Sequence, residues 1–226
     1  MNEAAARYVP ESRADMLKIT EIFHSLQGEA RQAGLPTVFI RLTGCPLRCQ
    51  YCDSAYAFSG GEWLHFDDII RQVRAHGTRY VCVTGGEPLA QKRCAELLVK
   101  LCDLGFSVSL ETSGAVDIRL ADERVSRVMD IKTPGSGEEQ RNLWSNLQAL
   151  TSNDQVKFVI CSREDYEWAR QVTLENQLAG VCEVLFSPSW GQVNTTELAE
   201  WILQDHLPVR YQLQLHKILW GDTPGK

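Results

Sequence analysis

No apolar run in this 226-residue chain approaches the ~20 residues of a membrane-spanning helix, which argues against an integral membrane protein. Positive charge is also short: 23 Lys and Arg face 29 Asp and Glu, for a formal charge of -6. Without a basic surface the chain lacks the electrostatic footprint of a nucleic-acid binder, so the expected ligand is small. Residues 1–16 carry Glu3, Arg7, Glu11, Arg13 and Asp15 and have no apolar core of a secretory signal. We expect them to form a flexible leader before a single domain over 17–226. With no export signal, eight cysteines imply reduced thiols in the cytoplasm rather than a disulfide framework. No short internal repeat is apparent. At 44% hydrophobic the chain is long enough for one buried core and short for two.

What the sequence does have is a cluster of thiols. Cys45, Cys49 and Cys52 fall within eight residues, with Tyr51 before the last and Asp53 and Ser54 after it. Ligands this close converge on one small object without help from distant sequence. A 4Fe-4S cube needs a ligand on each iron, usually four Cys; three leave one iron open, and no further Cys follows at a suitable local spacing. An open position marks catalytic rather than structural metal chemistry, by analogy with zinc sites. Zinc with a distant fourth donor, and buried spectator thiols, are the alternatives.

Along the chain, apolar alternation predicts strands at Leu17 to Phe23, Thr37 to Thr43, Tyr80 to Val83, Phe106 to Glu111, Val125 to Lys132, Val156 to Cys161 and Val184 to Ser187. Helical spacing predicts helices carrying Phe66, Ile69, Ile70 and Val73 before Gly77, and Cys94, Leu97, Leu98, Leu101 and Cys102 before Gly105. Cys94 and Cys102 read as core filler. Further helices are predicted around Leu143 to Leu150, from Asp165 to Leu178, and from Thr196 to Gln204 with a cap from Asn194 or Thr195. Arg210 to His216 alternates strictly and predicts a terminal strand. Strands alternating with helices give an α/β class. The six strands beginning with Thr37 predict an incomplete (partial) β/α barrel of parallel strands, with added N- and C-terminal segments. A doubly wound sheet is the alternative.

In such a sheet the site lies beyond the carboxyl ends of the strands. Leu26-Gln27-Gly28-Glu29, Thr84-Gly85-Gly86-Glu87-Pro88, Glu111-Thr112-Ser113-Gly114, Asp130-Ile131-Lys132 and Cys161-Ser162 are polar segments at or near strand ends. Singly each is an ordinary polar turn; together they predict a polar pocket.

The cysteine spacing, with Tyr51 before the last Cys and Gly86-Glu87 downstream, resembles the radical S-adenosylmethionine superfamily. That resemblance implies a 4Fe-4S cluster on Cys45, Cys49 and Cys52, and S-adenosylmethionine on its open iron. The full set of motifs, with Arg41, Asp53-Ser54 and His216-Lys217, resembles the 7-carboxy-7-deazaguanine synthase family from about Leu17 to the end. By that resemblance Tyr51, Asp53, Gly86, Glu87, Cys161, Ser162, Ser187 and Pro188 serve the cofactor. Leu26, Gln27, Gly28, Glu29, Arg41, Thr84 and His216 serve a pterin carboxylate substrate, and Ser54 ligates magnesium. An electron donor such as flavodoxin or ferredoxin and a homodimer are implied in the same way. A glycyl-radical activating enzyme and a non-catalytic electron carrier are the other function classes. Arg41 with His216 fits a small acid better than a partner protein, and a carrier would need a fourth fixed ligand.

Overall fold

A computed structural model of the chain describes residues 15–221, 223 and 225. The expected leader lies outside these except for Asp15 and Met16, and Met16 already begins the first strand. Strand β1 (Met16–Leu26) runs antiparallel to β2 (Pro36–Leu42), and β3 (Glu62–His65) pairs with the other edge of β1. From β2 the chain enters parallel pairing through β4 (Tyr80–Gly85), β5 (Ser107–Thr112), β6 (Ser126–Asp130), β7 (Gln155–Ile160) and β8 (Glu183–Pro188). The two-residue β9 (Arg210–Tyr211) closes the order β3-β1-β2-β4-β5-β6-β7-β8-β9. The six parallel strands are those expected. The antiparallel β3 was not, because its four residues are mostly exposed and carry no alternation of burial.

Helices form where apolar residues recur at helical spacing. In α1 (Phe66–Ala75) the buried residues are Phe66, Ile69 and Val73, with Asp67 and Asp68 at the positive end of the helix dipole and Arg74 at the negative end. α2 (Cys94–Asp103) buries Cys94, Leu97, Leu98 and Leu101, and these pack with α1 against β1, β2, β4 and β5. Cys94 and the partly buried Cys102 are core filler, as predicted. A second cluster packs α3 (Arg163–Glu175) and α4 (Thr195–Gln204) against β6, β7 and β8. Ser162 caps α3, and Asn194 caps α4 by accepting from Thr196 N-H at 2.9 Å and Glu197 N-H at 3.3 Å.

Two expectations fail. Leu143 to Leu150 forms only a tight single segment, Trp144–Ala149, of 3-10 geometry. The alternation from Arg210 to His216 yields two strand residues, and Leu215–Trp220 becomes a short helix, α5. The cause is tertiary: Leu215 N-H donates to Gly28 C=O at 3.0 Å and Gln214 donates to Glu29 at 2.8 Å. These bonds draw the segment across the end of the sheet instead of along its edge.

The sheet is curled into a partial barrel. Strands β1 and β8 stand six places apart in the order, roughly 29 Å in a flat sheet at ~4.8 Å per strand. Yet Arg31, in the turn after β1, donates its N-H to Gln155 on β7 at 2.7 Å and pairs with Glu183 on β8 at 3.5 Å. Curling brings the two sides of the sheet around one cavity.

Candidate active site

The cavity has a volume of about 620 Å³ and opens beyond the carboxyl ends of the parallel strands. Leu42, at the end of β2, feeds the cysteine loop, whose fold is fixed by several bonds. Gly44 N-H donates to Ala57 C=O at 2.8 Å, Gln50 N-H to Ser136 C=O at 3.0 Å and Cys52 N-H to Cys49 C=O at 3.2 Å. Leu47, in the middle of the loop, is fully buried and helps to line the cavity. Cys45, Cys49 and Cys52 are half-buried free thiols that line the cavity together. Burial pushes the Cys45 thiol up; the Leu47 N-H and Lys132 oppose this while Glu87 adds to it. Burial likewise raises Cys49, with Lys132 opposing.

The Gly85-Gly86 turn explains why this loop sits where it does. A Cβ on Gly86 would lie 2.2 Å from Gly44 O and 2.6 Å from Cys45 Cβ, so only glycine lets the two strand ends touch. Glu87 N-H completes the contact by donating to Gly44 C=O at 2.9 Å. The Glu87 side chain is fully buried and accepts from Leu89 N-H (2.9 Å), Ser113 N-H (2.7 Å), Ser113 Oγ (2.5 Å) and Thr112 Oγ1 (2.9 Å). It is a brace that ties the ends of β4 and β5 together, and it is not among the residues lining the cavity.

A further wall of the cavity is a chain of charged side chains whose Lys132 end lies near the cysteine loop, 5.9 Å from the Tyr51 ring centre. Lys157 Nζ on β7 donates to Glu29 Oε2 at 2.5 Å and lies 3.5 Å from Asp130 Oδ1; Lys132 Nζ donates to Asp130 Oδ2 at 2.7 Å. Burial alone would raise Glu29, but the charge and hydrogen bond of Lys157, aided by Gln214 and His216, outweigh it and hold the carboxyl at about 2. Burial would lower both lysines; Asp130, with Tyr51 and Cys49, raises Lys132 instead, and Asp130, Glu29 and Glu111 raise Lys157. Glu29, Lys157, Asp130 and Lys132 thus alternate acidic and basic side chains along the wall, and Glu29 and the two lysines stay charged at neutral pH.

Arg41 on β2 donates Nε to Glu21 at 2.7 Å, and Thr84 Oγ1 donates to Glu111 at 2.9 Å. Gly28 packs so closely on His216 that a Cβ there would lie 2.1 Å from Nδ1. Leu26, Gln27, Gly28, Glu29, Arg41, Thr84, His216, Tyr51, Asp53, Ser54 and Gly86 all line the cavity with the three cysteines. Cys161, Ser162, Ser187 and Pro188 do not line it. Cys161 Sγ sits 3.7 Å from Gln50 Nε2, Ser162 is occupied as the α3 cap, and Ser187 and Pro188 are buried at the end of β8. Sequence reasoning missed Lys157, Glu21, Tyr56 and Gln214. For Lys157 the signal was a lone lysine between apolar residues of a buried parallel strand.

The thiols suit a cluster better than a single ion. Four sulfurs around one zinc, each at about 2.3 Å, would stand roughly 4 Å apart, whereas a cube takes one thiolate per iron and spreads them. Among the described residues no three Cys, His, Asp or Glu side chains gather around a single-ion position. Three cavity-lining thiols and the buried Lys132 cation beside them fit an anionic iron-sulfur group.

The signature of the Radical SAM superfamily matches residues 39–135. The chain is similar to the 7-carboxy-7-deazaguanine synthase of Chlorobaculum tepidum, with 44% identity covering 91% of this chain and 94% of that protein. The synthase of Koribacter versatilis is 41% identical, over 92% and 100% respectively. Among solved structures, QueE from Escherichia coli shares the fold with a TM-score of 0.70, at 24% identity over 89% of this chain and 95% of that one.

Proposed function

The chain belongs to the 7-carboxy-7-deazaguanine synthase family, and from that membership we infer that it is a carbon-nitrogen lyase. It converts 6-carboxy-5,6,7,8-tetrahydropterin to 7-carboxy-7-deazaguanine with loss of ammonia, on the route to queuosine and other 7-deazapurines. The observation that carries this reading is the single cavity in which Cys45, Cys49 and Cys52 face Arg41, Glu29, Thr84 and His216.

Cys45, Cys49 and Cys52 hold the 4Fe-4S cluster, with Tyr51, Asp53 and Gly86 beside S-adenosylmethionine. Bound together, these groups supply the hydrogen-atom abstraction that starts ring contraction. The protein supplies position and charge. The Arg41 guanidinium receives the substrate carboxylate through two parallel hydrogen bonds, and Glu29, ionised and pinned by Lys157 and Gln214, accepts from the pterin amino and ring N-H groups. Glu29 lies far below neutrality and Arg41, Lys132 and Lys157 far above it. They therefore act as fixed charges and donors, not as proton shuttles, and we assign no essential acid or base. Glu87 supports the cofactor wall as a brace.

Ser54 Oγ, 3.9 Å from Cys52 Sγ and facing the cavity, offers one hard oxygen to magnesium; substrate carboxylate and water would complete the shell. A small redox protein such as flavodoxin or ferredoxin supplies the electron, the chain pairs as a homodimer, and eight free thiols suit the reducing cytoplasm. No helix among the described residues is long and apolar enough to cross a membrane.

The test is an anaerobic assay: reconstitute iron and sulfide, reduce, add carboxytetrahydropterin and S-adenosylmethionine, and identify the product by mass. Cluster assembly without 7-carboxy-7-deazaguanine defeats the substrate assignment. An active Cys49→Ala protein removes the cluster mechanism.

A further inference from the structure

Arg41 reaches the cavity through a frame of residues from three segments. The β1 and β2 pairing has an irregularity between Ile19 and Glu21: Ile19 faces Leu42, but Glu21, not Thr20, faces Arg41. One extra residue in β1 therefore sets Glu21 opposite Arg41, the kind of local re-aiming a bulge provides. Glu21 Oε1 accepts from Arg41 Nε at 2.7 Å and from Tyr56 Oη at 2.7 Å. The guanidinium carbon lies 5.7 Å from the Phe23 ring centre and 5.8 Å from that of Tyr56, so two aromatic rings flank it.

This frame uses Nε alone. Arg41 Nη1 and Nη2 make no hydrogen bond to any described residue, which leaves the end of the fork available for a carboxylate in the cavity that Arg41, Phe23 and Tyr56 all line. Tyr56 lies in the short turn Ala55–Phe58, two residues past Ser54, so the frame also ties the carboxylate-binding arm to the end of the cysteine loop.

We propose that Glu21 and Tyr56 are positioning residues that fix the Arg41 guanidinium, and that they set the preference for a 6-carboxylated tetrahydropterin over the same ring without its carboxylate. The inference rests on the reading that Arg41 receives the substrate carboxylate. A guanidinium free to swing would bind the carboxylate only after losing rotamer freedom, and the frame removes that loss in advance.

The experiment is calorimetric titration of the reconstituted enzyme, with S-adenosylmethionine present, by 6-carboxytetrahydropterin and by tetrahydropterin. Iron content and cluster absorbance confirm that each variant is intact. Tyr56→Phe should weaken the carboxylated ligand about fivefold and Glu21→Gln about tenfold, as expected for one lost or neutralised hydrogen bond. Both should leave tetrahydropterin within about twofold of the wild type. Arg41→Met should erase the preference. If Arg41→Met keeps the preference, Arg41 does not read the carboxylate and the underlying assignment fails. If Arg41→Met erases it while Tyr56→Phe and Glu21→Gln bind both ligands like the wild type, the positioning role is overturned. Equal weakening of both ligands by those two variants also overturns it, because that is what a merely structural role would give.

Discussion

Replacing Lys157 with methionine keeps an unbranched apolar stem and removes the ammonium group, and with it both the charge and the hydrogen bond that hold Glu29; Asp130 keeps its pairing with Lys132. In the wild type, Glu29 falls from 4.5 to about 2 on folding, a net gain of about 3 kcal/mol over its own burial penalty. The rise of Lys157 reflects the same pair and is not added to it. Without Lys157 the carboxylate stays buried but loses its main compensation, so breaking the pair should cost about 3 to 5 kcal/mol near neutral pH. The pH dependence then changes sign. In the wild type the Glu29 contribution is fully present above 4.5 and is lost as the pH falls toward 2. In Lys157→Met, burial dominates and carries the Glu29 pKa above its unfolded value; protonation on acidification relieves the folded state. Urea unfolding of both proteins at about pH 7.5 and about pH 5 should show the stability gap narrowing at the lower pH. The double variant with Glu29→Gln should recover most of the loss, since no charge is left stranded. A gap of the same size at both pH values, or a double variant no more stable than Lys157→Met, would refute the argument.

Three other perturbations follow from contacts around the cavity. Glu87→Gln turns an acceptor-only group into one whose amide nitrogen faces the N-H and hydroxyl donors of Leu89, Thr112 and Ser113. It should cost about 1 to 3 kcal/mol in thermal or urea unfolding, with weaker retention of the cluster by iron analysis. Gly28→Ala places a methyl 2.1 Å from His216 Nδ1; it should displace α5 and raise KM for the pterin while iron content stays at the wild-type level. In Ser54→Ala the hydroxyl facing the cavity is lost, so stimulation of turnover by added magnesium should fall, with cluster absorbance unchanged; undiminished stimulation would remove Ser54 from the ion's shell.

Much of this protein is legible residue by residue. The strands β2, β4, β5, β6, β7 and β8 and the helices α1 and α2 follow from local periodicity, because a buried strand or an amphipathic helix writes its burial into neighbouring residues. The cysteine loop is legible for the same reason: its three donors lie within one turn of chain. Short or edge elements are less so. β3 is mostly exposed and β9 ends after Tyr211, where bonds to Gly28 and Glu29 override the alternation.

The sequence alone determined the class of the fold, the cluster loop and the polar strand ends that gather at one mouth. Only the tertiary structure decided which charges meet. Lys157 and Glu29 are 128 positions apart, and no local pattern announces that the curled sheet will bring them within a hydrogen bond. The close contact of Gly86 with Gly44 and Cys45, which demands glycine there, is likewise not written in any local pattern. Glu21 meets Arg41 because one extra residue in β1 shifts the register. Periodicity records whether a side chain is buried, whereas pairing depends on register and curvature, which the chain acquires only when its distant strands close on one another.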